Sequence, residues 1–433
     1  MVTCYKYVTA VLGCAGVEPS MSTRKVVLAY SGGLDTSVAI PWLRERGYDV
    51  IALTIHVGQP VDLQAVRKKA LASGAKRAYV VDARDEYARE YLRPALQANL
   101  LYEGQYPLST ALARPLIGQH LVAVARKEGA GAIAHGCTGK GNDQVRFDVC
   151  TTSLAPELEV IAPAREWGMT RDEEIAYAEA HHVPVAARRA SPYSTDENLW
   201  GRSVECGILE DPAVEPPEEV YGWTTSPERA PDKPEYVRIA FEGGAPVALD
   251  GERMSLRPLI ERLNRTAGAH GVGRIDHLES RLVGIKSREV YECPAATVLL
   301  AAHQGLEAMT LPRDLLAAKR GIERQYAQAV YDGLWFTPLR TAFDAFVGAT
   351  QERVEGEVAM KLYKGQARVS GRRSPFALYR QSLATYSDGD EFRAESARGF
   401  IYVWGLPSRT WAAVGEKRAP GARVTARTTR RSR

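Results

Sequence analysis

The chemistry of this chain begins at Ser31-Gly32-Gly33-Leu34-Asp35-Thr36-Ser37, which follows an apolar run at 25–30 and opens a helical stretch reaching Arg46. Two glycines let the backbone come close to an anion. The start of a helix turns unpaired N–H groups and the positive end of its dipole toward it. The hydroxyls of Ser31, Thr36 and Ser37 add donors. Such a turn binds phosphate; a serine-rich helix cap without a ligand is the plain alternative, and the strand–turn–helix setting favours the ligand. A second cluster, GCTGKGNDQVRF at 136–147, follows the apolar run 132–135. It sets three glycines among Thr, Lys, Asn, Asp and Arg at the carboxyl end of a strand, where open α/β sheets bind ligands. There Arg146 suits two-pronged capture of a carboxylate and Asp143 suits an amine. On its own this stretch also reads as a glycine-rich surface loop.

Neither stretch is a Walker A loop, since 134–141 departs from G-x-x-x-x-G-K-[ST] at Ala134 and at Gly141. No G-x-G-x-x-G opens the first helix, which disfavours a dinucleotide. Cys4, Cys14, Cys137, Cys150, Cys206 and Cys293 are scattered without C-x-x-C spacing, and the eight histidines form no H-E-x-x-H or H-x-E motif. That argues against a disulfide framework and a transition-metal site, and it fits a reducing cytoplasm.

The elements that must position these residues alternate. Apolar runs at 25–30, 49–57, 77–82 and 132–135 read as strands, with helices to Arg46, over 61–73 (closed by Gly74) and over about 112–129. Apolar strands alternating with amphipathic helices imply a parallel sheet covered on both faces. Pro41 lies inside the first helix and predicts a kink or a restart there. After 191 the grammar changes. Residues 210–234, rich in Pro and Glu, read as a long surface connection. Hairpin signals follow at Glu242-Gly243-Gly244 and at Lys364-Gly365, with helices over about 256–267 and 315–333 between them. The fold class expected is α/β, an N-terminal parallel-sheet, Rossmann-like nucleotide-binding domain at 24–190, followed by an α+β domain at 191–412.

The 433 residues, 45% hydrophobic and 25% charged, are those of a globular chain of two or three domains. No apolar run approaches the roughly 20 residues of a membrane-spanning helix. The net charge is +4, but the tail 416–433 sets seven basic residues against Glu416, leaving −2 for the rest. The body is therefore not a basic nucleic-acid surface, and the segment 413–433 is expected to be a disordered basic tail. Residues 1–23 are expected to be an N-terminal extension without order. The apolar stretch 7–12 is too short for a secretion signal, and the natural start is expected at Met21.

The turn S-G-G-x-D-[ST]-S resembles the PP-loop of enzymes that split ATP between its α- and β-phosphates. Taken with HGCTGKGNDQVRF, SPYSTDENLWGRSVE and GVGRIDHLESRLVGIKSREVYE, the sequence resembles the argininosuccinate synthase family from about Arg24 to Ser408. The resemblance implies an adenine nucleotide alpha-hydrolase-like first domain and a synthetase and multimerisation domain after it. It implies ATP-dependent condensation of citrulline with aspartate in arginine biosynthesis, releasing AMP and pyrophosphate, with magnesium on the phosphates and a homotetramer as the assembly. Position by position, Ala29, Tyr30, Ser31, Gly32, Gly33, Leu34, Asp35, Thr36, Ser37, Ile55 and Gly136 match ATP contacts. Thr138, Asn142 and Asp143 match the aspartate site. Tyr106, Asn142, Arg146, Ser194, Ser203, Glu279 and Tyr291 match the citrulline site. Ser31, Asp35, Asp143 and Arg146 are expected to carry catalysis.

Two positions depart from the family pattern: Ala111 stands where many members have Ser, next to Thr110, and His56 follows the second strand. Both leave room for a paralogous ligase joining aspartate to a citrulline-like compound. A non-catalytic adenine-nucleotide sensor would need the phosphate loop but not Asp143, Arg146, Glu279 and Tyr291. A tRNA-modifying PP-loop enzyme is disfavoured by the acidic body and the lack of paired cysteines.

Overall fold

The computed structural model describes residues 24–184 and 192–416; the expected N-terminal extension and most of the basic tail lie outside the described residues. Of the described residues, those up to Phe376 form one compact unit and those from Ala377 onward a second.

The strands β1 (Arg24–Ala29), β2 (Tyr48–His56), β3 (Arg77–Asp82), β4 (Ala132–Ala134) and β5 (Glu159–Ile161) make a five-stranded sheet. Its order is β3-β2-β1-β4-β5, and every pairing is parallel. Period-2 alternation gives each strand two apolar faces. Val26, Leu28, Val50 and Ala52 pack with Ile40, Trp42 and Leu43 of α1 (Leu34–Glu45) on one side. Val27, Ile51, Leu53 and Ile55 enter the main core on the other. That core continues without a break into Leu259, Leu299 and Tyr326, which are residues of the second lobe. The chain runs outward from β1 to β3 and returns to β4 on the opposite side of β1, so a topological switch point lies between β1 and β4, where such sheets bind ligands.

α1 runs unbroken past Pro41, so the helix does not restart there. The missing N–H strands one carbonyl, and the burial of Ile40, Trp42 and Leu43, about 1.5–3 kcal/mol for each large side chain, outweighs it. α2 (Leu63–Ala72) is capped by Asp62, whose carboxylate accepts the N–H groups of Gln64 and Ala65. α3 (Ser109–Glu128) is long and mostly buried, α4 (Asp143–Leu154) follows the glycine-rich loop, and α5 (Arg171–Ala180) begins with a Thr170–Glu173 capping box.

The second lobe opens with a hairpin of β6 (Ser194–Asn198) and β7 (Gly201–Glu205), followed by β8 (Glu235–Glu242), β9 (Ala245–Leu249), β10 (Glu252–Arg253) and α6 (Leu256–Ala269). Then come β11 (Arg274–Ser280), β12 (Lys286–Glu292), α7 (Pro294–Thr310), α8 (Arg313–Tyr331), α9 (Pro338–Gln351), β13 (Gly356–Tyr363) and β14 (Gln366–Arg373). They build two antiparallel sheets, β10-β9-β8-β13-β14 and β11-β12-β7-β6. Both expected hairpins form. Gly243 and Gly244, and Lys364 and Gly365, all have positive φ, as tight hairpin turns require. At Gly244 a Cβ would come within 1.9 Å of Gln351 Oε1, so only glycine fits. The stretch read as a surface connection is irregular but anchored. The buried carboxylate of Glu292 accepts the N–H groups of Gly222, Trp223 and Thr224, each at 2.8 Å.

The unit from Ala377 carries α10 (Ala394–Trp404) and α11 (Leu406–Glu416). α11 reaches Glu416, so residues 413–416 continue a helix rather than begin the tail.

Candidate active site

The loop after β1 is shaped by hydrogen bonds among its own side chains and backbone and by one from α2. Gly32 has φ +82 and its carbonyl accepts Lys69 Nζ at 2.6 Å, which fixes the peptide from the side of α2. Gly33 caps α1 in an extended conformation without a side-chain cap, so the first turn of the helix keeps donors to spare. Ser31 Oγ accepts the Gly33 N–H at 3.2 Å and lies 3.1 Å from Thr36 Oγ1, while Ser37 Oγ donates to the Gly33 carbonyl at 2.6 Å. From the neighbouring β4, Gly136 approaches so closely that a Cβ would sit 2.9 Å from Thr36 Cγ2.

These loops wall a cavity of about 530 Å3, a size suited to a nucleotide. Ala29, Tyr30, Ser31, Gly33, Leu34, Asp35, Thr36, Ile55 and Gly136 line it. Gly32 and Ser37 do not: the first faces Val66 and Lys69, and the second is buried beneath the turn with the Tyr30 hydroxyl.

Glu174 of α5 belongs to the same electrostatic neighbourhood. Burial and the charge of Asp35 push its carboxyl up to about 7. A carboxyl raised in the folded state keeps a proton that the unfolded chain releases above about 4.5, so its contribution is intact at low pH and lost as pH rises through 7. Glu174→Gln is expected to raise the Tm of the ligand-free protein by a few degrees at pH 8 and to lose most of that gain at pH 5, read by thermal denaturation in both buffers. Asp35, which lines the cavity, offers a carboxylate oxygen that suits a hard divalent cation carried on phosphate oxygens.

A second cavity of about 210 Å3 lies between the lobes. One face of the β11-β12-β7-β6 sheet forms its wall. Val204 and Val290 point to the opposite face, onto Leu209 and Val220, so alternation turns Ser203, Glu205, Glu289 and Tyr291 toward the cavity. Ser194, Asp196 and Glu279 join them from the outer strands. Facing this wall are Tyr106 and Thr110 at the start of α3, and Asn142, Asp143 and Arg146 at the start of α4. Tyr106 stacks on Tyr291 at 4.2 Å, and its hydroxyl accepts the Thr110 N–H at 2.9 Å. Leu108 takes a left-handed backbone, φ +63, to make this corner, a strain of about 1–2 kcal/mol set beside the site.

All seven residues matched to citrulline line this second cavity, as do Asn142 and Asp143 of the aspartate set. Thr138 lines neither cavity; it is exposed on the loop, where its carbonyl accepts the Gly141 N–H. Ala111 is buried in α3 away from both cavities, so its missing hydroxyl removes no lining group, and Thr110 is the residue that faces the site. His56 also lines neither, though its Nδ1 is buried without a partner.

Charge is concentrated where the two cavities meet. Arg114 and Asp196 line both. Arg114 reaches Asp143 Oδ2 at 2.8 Å and pairs with Asp196; Arg146 Nη1 reaches Asp143 Oδ1 at 2.8 Å. Burial pushes Asp143 up, but the two guanidinium groups outweigh it and hold its carboxyl below the usual range. Arg146 is only 4% exposed, donates Nε to the Tyr331 carbonyl, and keeps Nη2 buried without a partner. A buried guanidinium nitrogen lacking an acceptor, at a cavity wall, suits an anionic or carbonyl ligand. Sequence reasoning missed Arg114, Asp196, Arg281, Glu205, Glu289 and Tyr331. A signal existed for the first: an arginine in the apolar run STALARPLIGQHLV must be paired if the helix is buried.

A phosphate-binding turn at the switch point of a parallel sheet, completed by a second lobe, defines a HUP-type nucleotide-binding protein with a composite site. The description "Arginosuccinate synthase N-terminal HUP domain" matches residues 25–184, and "Arginosuccinate synthase C-terminal domain" matches 193–411. The chain is 60% identical to the argininosuccinate synthase of Gloeobacter violaceus over 396 residues, covering 91% of this chain and 100% of that one. It is 60% identical to that of Synechococcus sp. (strain JA-3-3Ab), covering 90% and 98%, and 57% identical to that of Rubrobacter xylanophilus, covering 90% and 96%. The chain belongs to the argininosuccinate synthase family.

Proposed function

We propose that the protein condenses citrulline with aspartate at the expense of ATP, forming argininosuccinate, AMP and pyrophosphate. The observation that carries this reading is the shared wall of Arg114 and Asp196 between the nucleotide cavity and the second, smaller one. A nucleotide sensor needs only the first cavity.

The triphosphate lies at the start of α1, with the Ser31–Gly33 turn on the departing pyrophosphate and the backbone at Ile55 beside adenine. Citrulline enters the second cavity, with its charged end on Ser194, Ser203, Glu279 and Tyr291 and its ureido group toward Arg146 and the first cavity. The ureido oxygen attacks the α-phosphorus, the bond to the β-phosphate breaks, and pyrophosphate leaves. That step converts a poor leaving group into AMP. The amine of aspartate then attacks the ureido carbon and AMP departs. Arg114, at the junction, stabilises negative charge on the transferring phosphate. Asp143, held ionised by two arginines, suits holding the ammonium of aspartate better than acting as its base, so the proton that the ammonium gives up before it attacks passes to solvent. Asp35 would face a magnesium ion carried on the phosphates, and that ion would add charge compensation there. The remaining rate gain is the positioning of two amino acids at one adenylate.

The test is a pyrophosphate assay with each substrate omitted in turn. Release that needs ATP and citrulline, with product only when aspartate is added, is the expected result. ADP and orthophosphate, or release with another ureido or amide acceptor but not citrulline, would refute the assignment; the latter outcome would favour the paralogous ligase.

The assembly proposed is a homotetramer in the cytoplasm. No helix among the described residues is long and apolar enough to cross a membrane. α10 and α11 nevertheless expose Phe400, Ile401, Tyr402, Val403, Trp404 and Trp411, the last at 84%. Apolar residues in succession cover every side of a helix, which calls for burial all round. A second copy of this chain is the proposed cover. Deleting the chain after Phe376 is therefore expected to shift the particle from tetramer toward smaller species in light scattering.

A further inference from the structure

α8 ends at Tyr331, which lies outside every motif that marks the site, yet this side chain joins both lobes at the second cavity. Asn142 Oδ1 accepts the backbone N–H of Leu282 at 2.8 Å. That bond fixes the amide orientation, so Asn142 Nδ2 must donate to the Tyr331 hydroxyl, which it does at 2.7 Å. The phenol proton is then free for Glu279 Oε1, also at 2.7 Å. Tyr291 donates to the other oxygen of Glu279 at 2.6 Å. Glu279 is 3% exposed, and with one phenol on each oxygen its carboxylate plane is set while lone pairs remain for a ligand.

The rest of Tyr331 is equally engaged. Its carbonyl accepts Arg146 Nε at 3.0 Å, and its ring lies under that guanidinium and stacks on Tyr102 at 3.6 Å. Tyr102 begins the turn that presents Tyr106, and the two are joined by backbone hydrogen bonds. Upstream on α8, Glu323 accepts Asn99 Nδ2 at 2.7 Å, so the segment 99–106 is tied to this helix at two points.

We propose that Tyr331 is a positioning residue for the amino-acid cavity, its hydroxyl clasping Asn142 of the nucleotide lobe to Glu279 of the second lobe. The identity of the ligand rests on the functional reading above; the clasp itself does not. None of the hydrogen-bond or ring partners of Tyr331 described here lines the nucleotide cavity. Loss of the hydroxyl should therefore separate the two substrates.

The experiment is Tyr331→Phe in the full chain, which keeps the ring stack and the carbonyl. Citrulline Kd by calorimetry and the KM values for citrulline and ATP are measured beside Tm. Losing a hydrogen bond to a buried charged group predicts a rise in citrulline Kd and KM on the order of tenfold to a hundredfold, with ATP KM within about twofold. In a cycle with Glu279→Gln, the two losses should be less than additive, because both act on one chain. Unchanged citrulline affinity, equal loss of ATP and citrulline affinity, or fully additive losses would overturn the clasp. If wild-type protein ignores citrulline but releases pyrophosphate with another acceptor, the functional reading fails, and the same comparison with that acceptor decides the clasp separately.

Discussion

Asp143→Asn is expected to lower kcat/KM for aspartate by about a thousandfold while ATP binding stays within a factor of about two. The carboxylate is clamped between Arg114 and Arg146, one on each oxygen. An amide of the same shape offers only one acceptor oxygen and turns an N–H₂ toward the other guanidinium. Asp143 is only part-buried, but Arg146 is 4% exposed; breaking one partner out of a fully buried charge cluster costs about 3–5 kcal/mol, so a thousandfold, about 4 kcal/mol, applies once bound substrates close the site. Two effects compete for that energy. If it falls on the fold, Tm drops and all substrates suffer together. If it falls on the reaction, the incoming ammonium loses its anion and aspartate alone is affected. The second should dominate, because Asp143 is bound to the fold only through α4 and the two arginines, and Arg114 keeps Asp196 as a partner. Steady-state kinetics in aspartate, ATP binding by calorimetry and Tm separate the outcomes; parallel losses of ATP binding and turnover would make Asp143 a structural residue.

The phosphate loop was legible because its residues are contiguous and sit between an apolar strand and a helix, so composition and order already encode the anion site. The parallel strands were legible for a related reason: buried on both faces, they read as apolar runs bounded by turns. The β11-β12-β7-β6 sheet was not. Strands such as Ser194–Asn198 and Lys286–Glu292 look polar because one of their faces walls the second cavity, so a search for apolar alternation passes over them. Their functional residues came from resemblance alone. Tyr331 had no signal at all. Its partners Asn142 and Glu279 stand 189 and 52 residues away, and a tyrosine closing an amphipathic helix is indistinguishable from core. Arg114 lay between these cases, since an arginine in an apolar helix states that a partner exists without saying which.

Arg146→Lys keeps the charge and should still reduce kcat/KM for citrulline by roughly a hundredfold to a thousandfold. The three guanidinium nitrogens have separate tasks: Nη1 holds Asp143, Nε holds the Tyr331 carbonyl, and Nη2 stays buried without a protein acceptor. A lysine ammonium is a single point of charge and cannot occupy three positions of a rigid fork. If it reaches Asp143 it leaves the carbonyl of Tyr331 and the ligand unserved. Two hydrogen bonds to a charged donor, each about 1.5–3 kcal/mol, sum to about 3–6 kcal/mol, and the lower part of that span corresponds to the range given. Arg146 lines only the second cavity, so the KM for ATP should hold, and Asp143 should keep Arg114. Kinetics with citrulline and ATP varied separately test this. Loss confined to citrulline supports a fork whose third prong meets the ligand, whereas an activity close to wild type would show that positive charge alone is sufficient at this position.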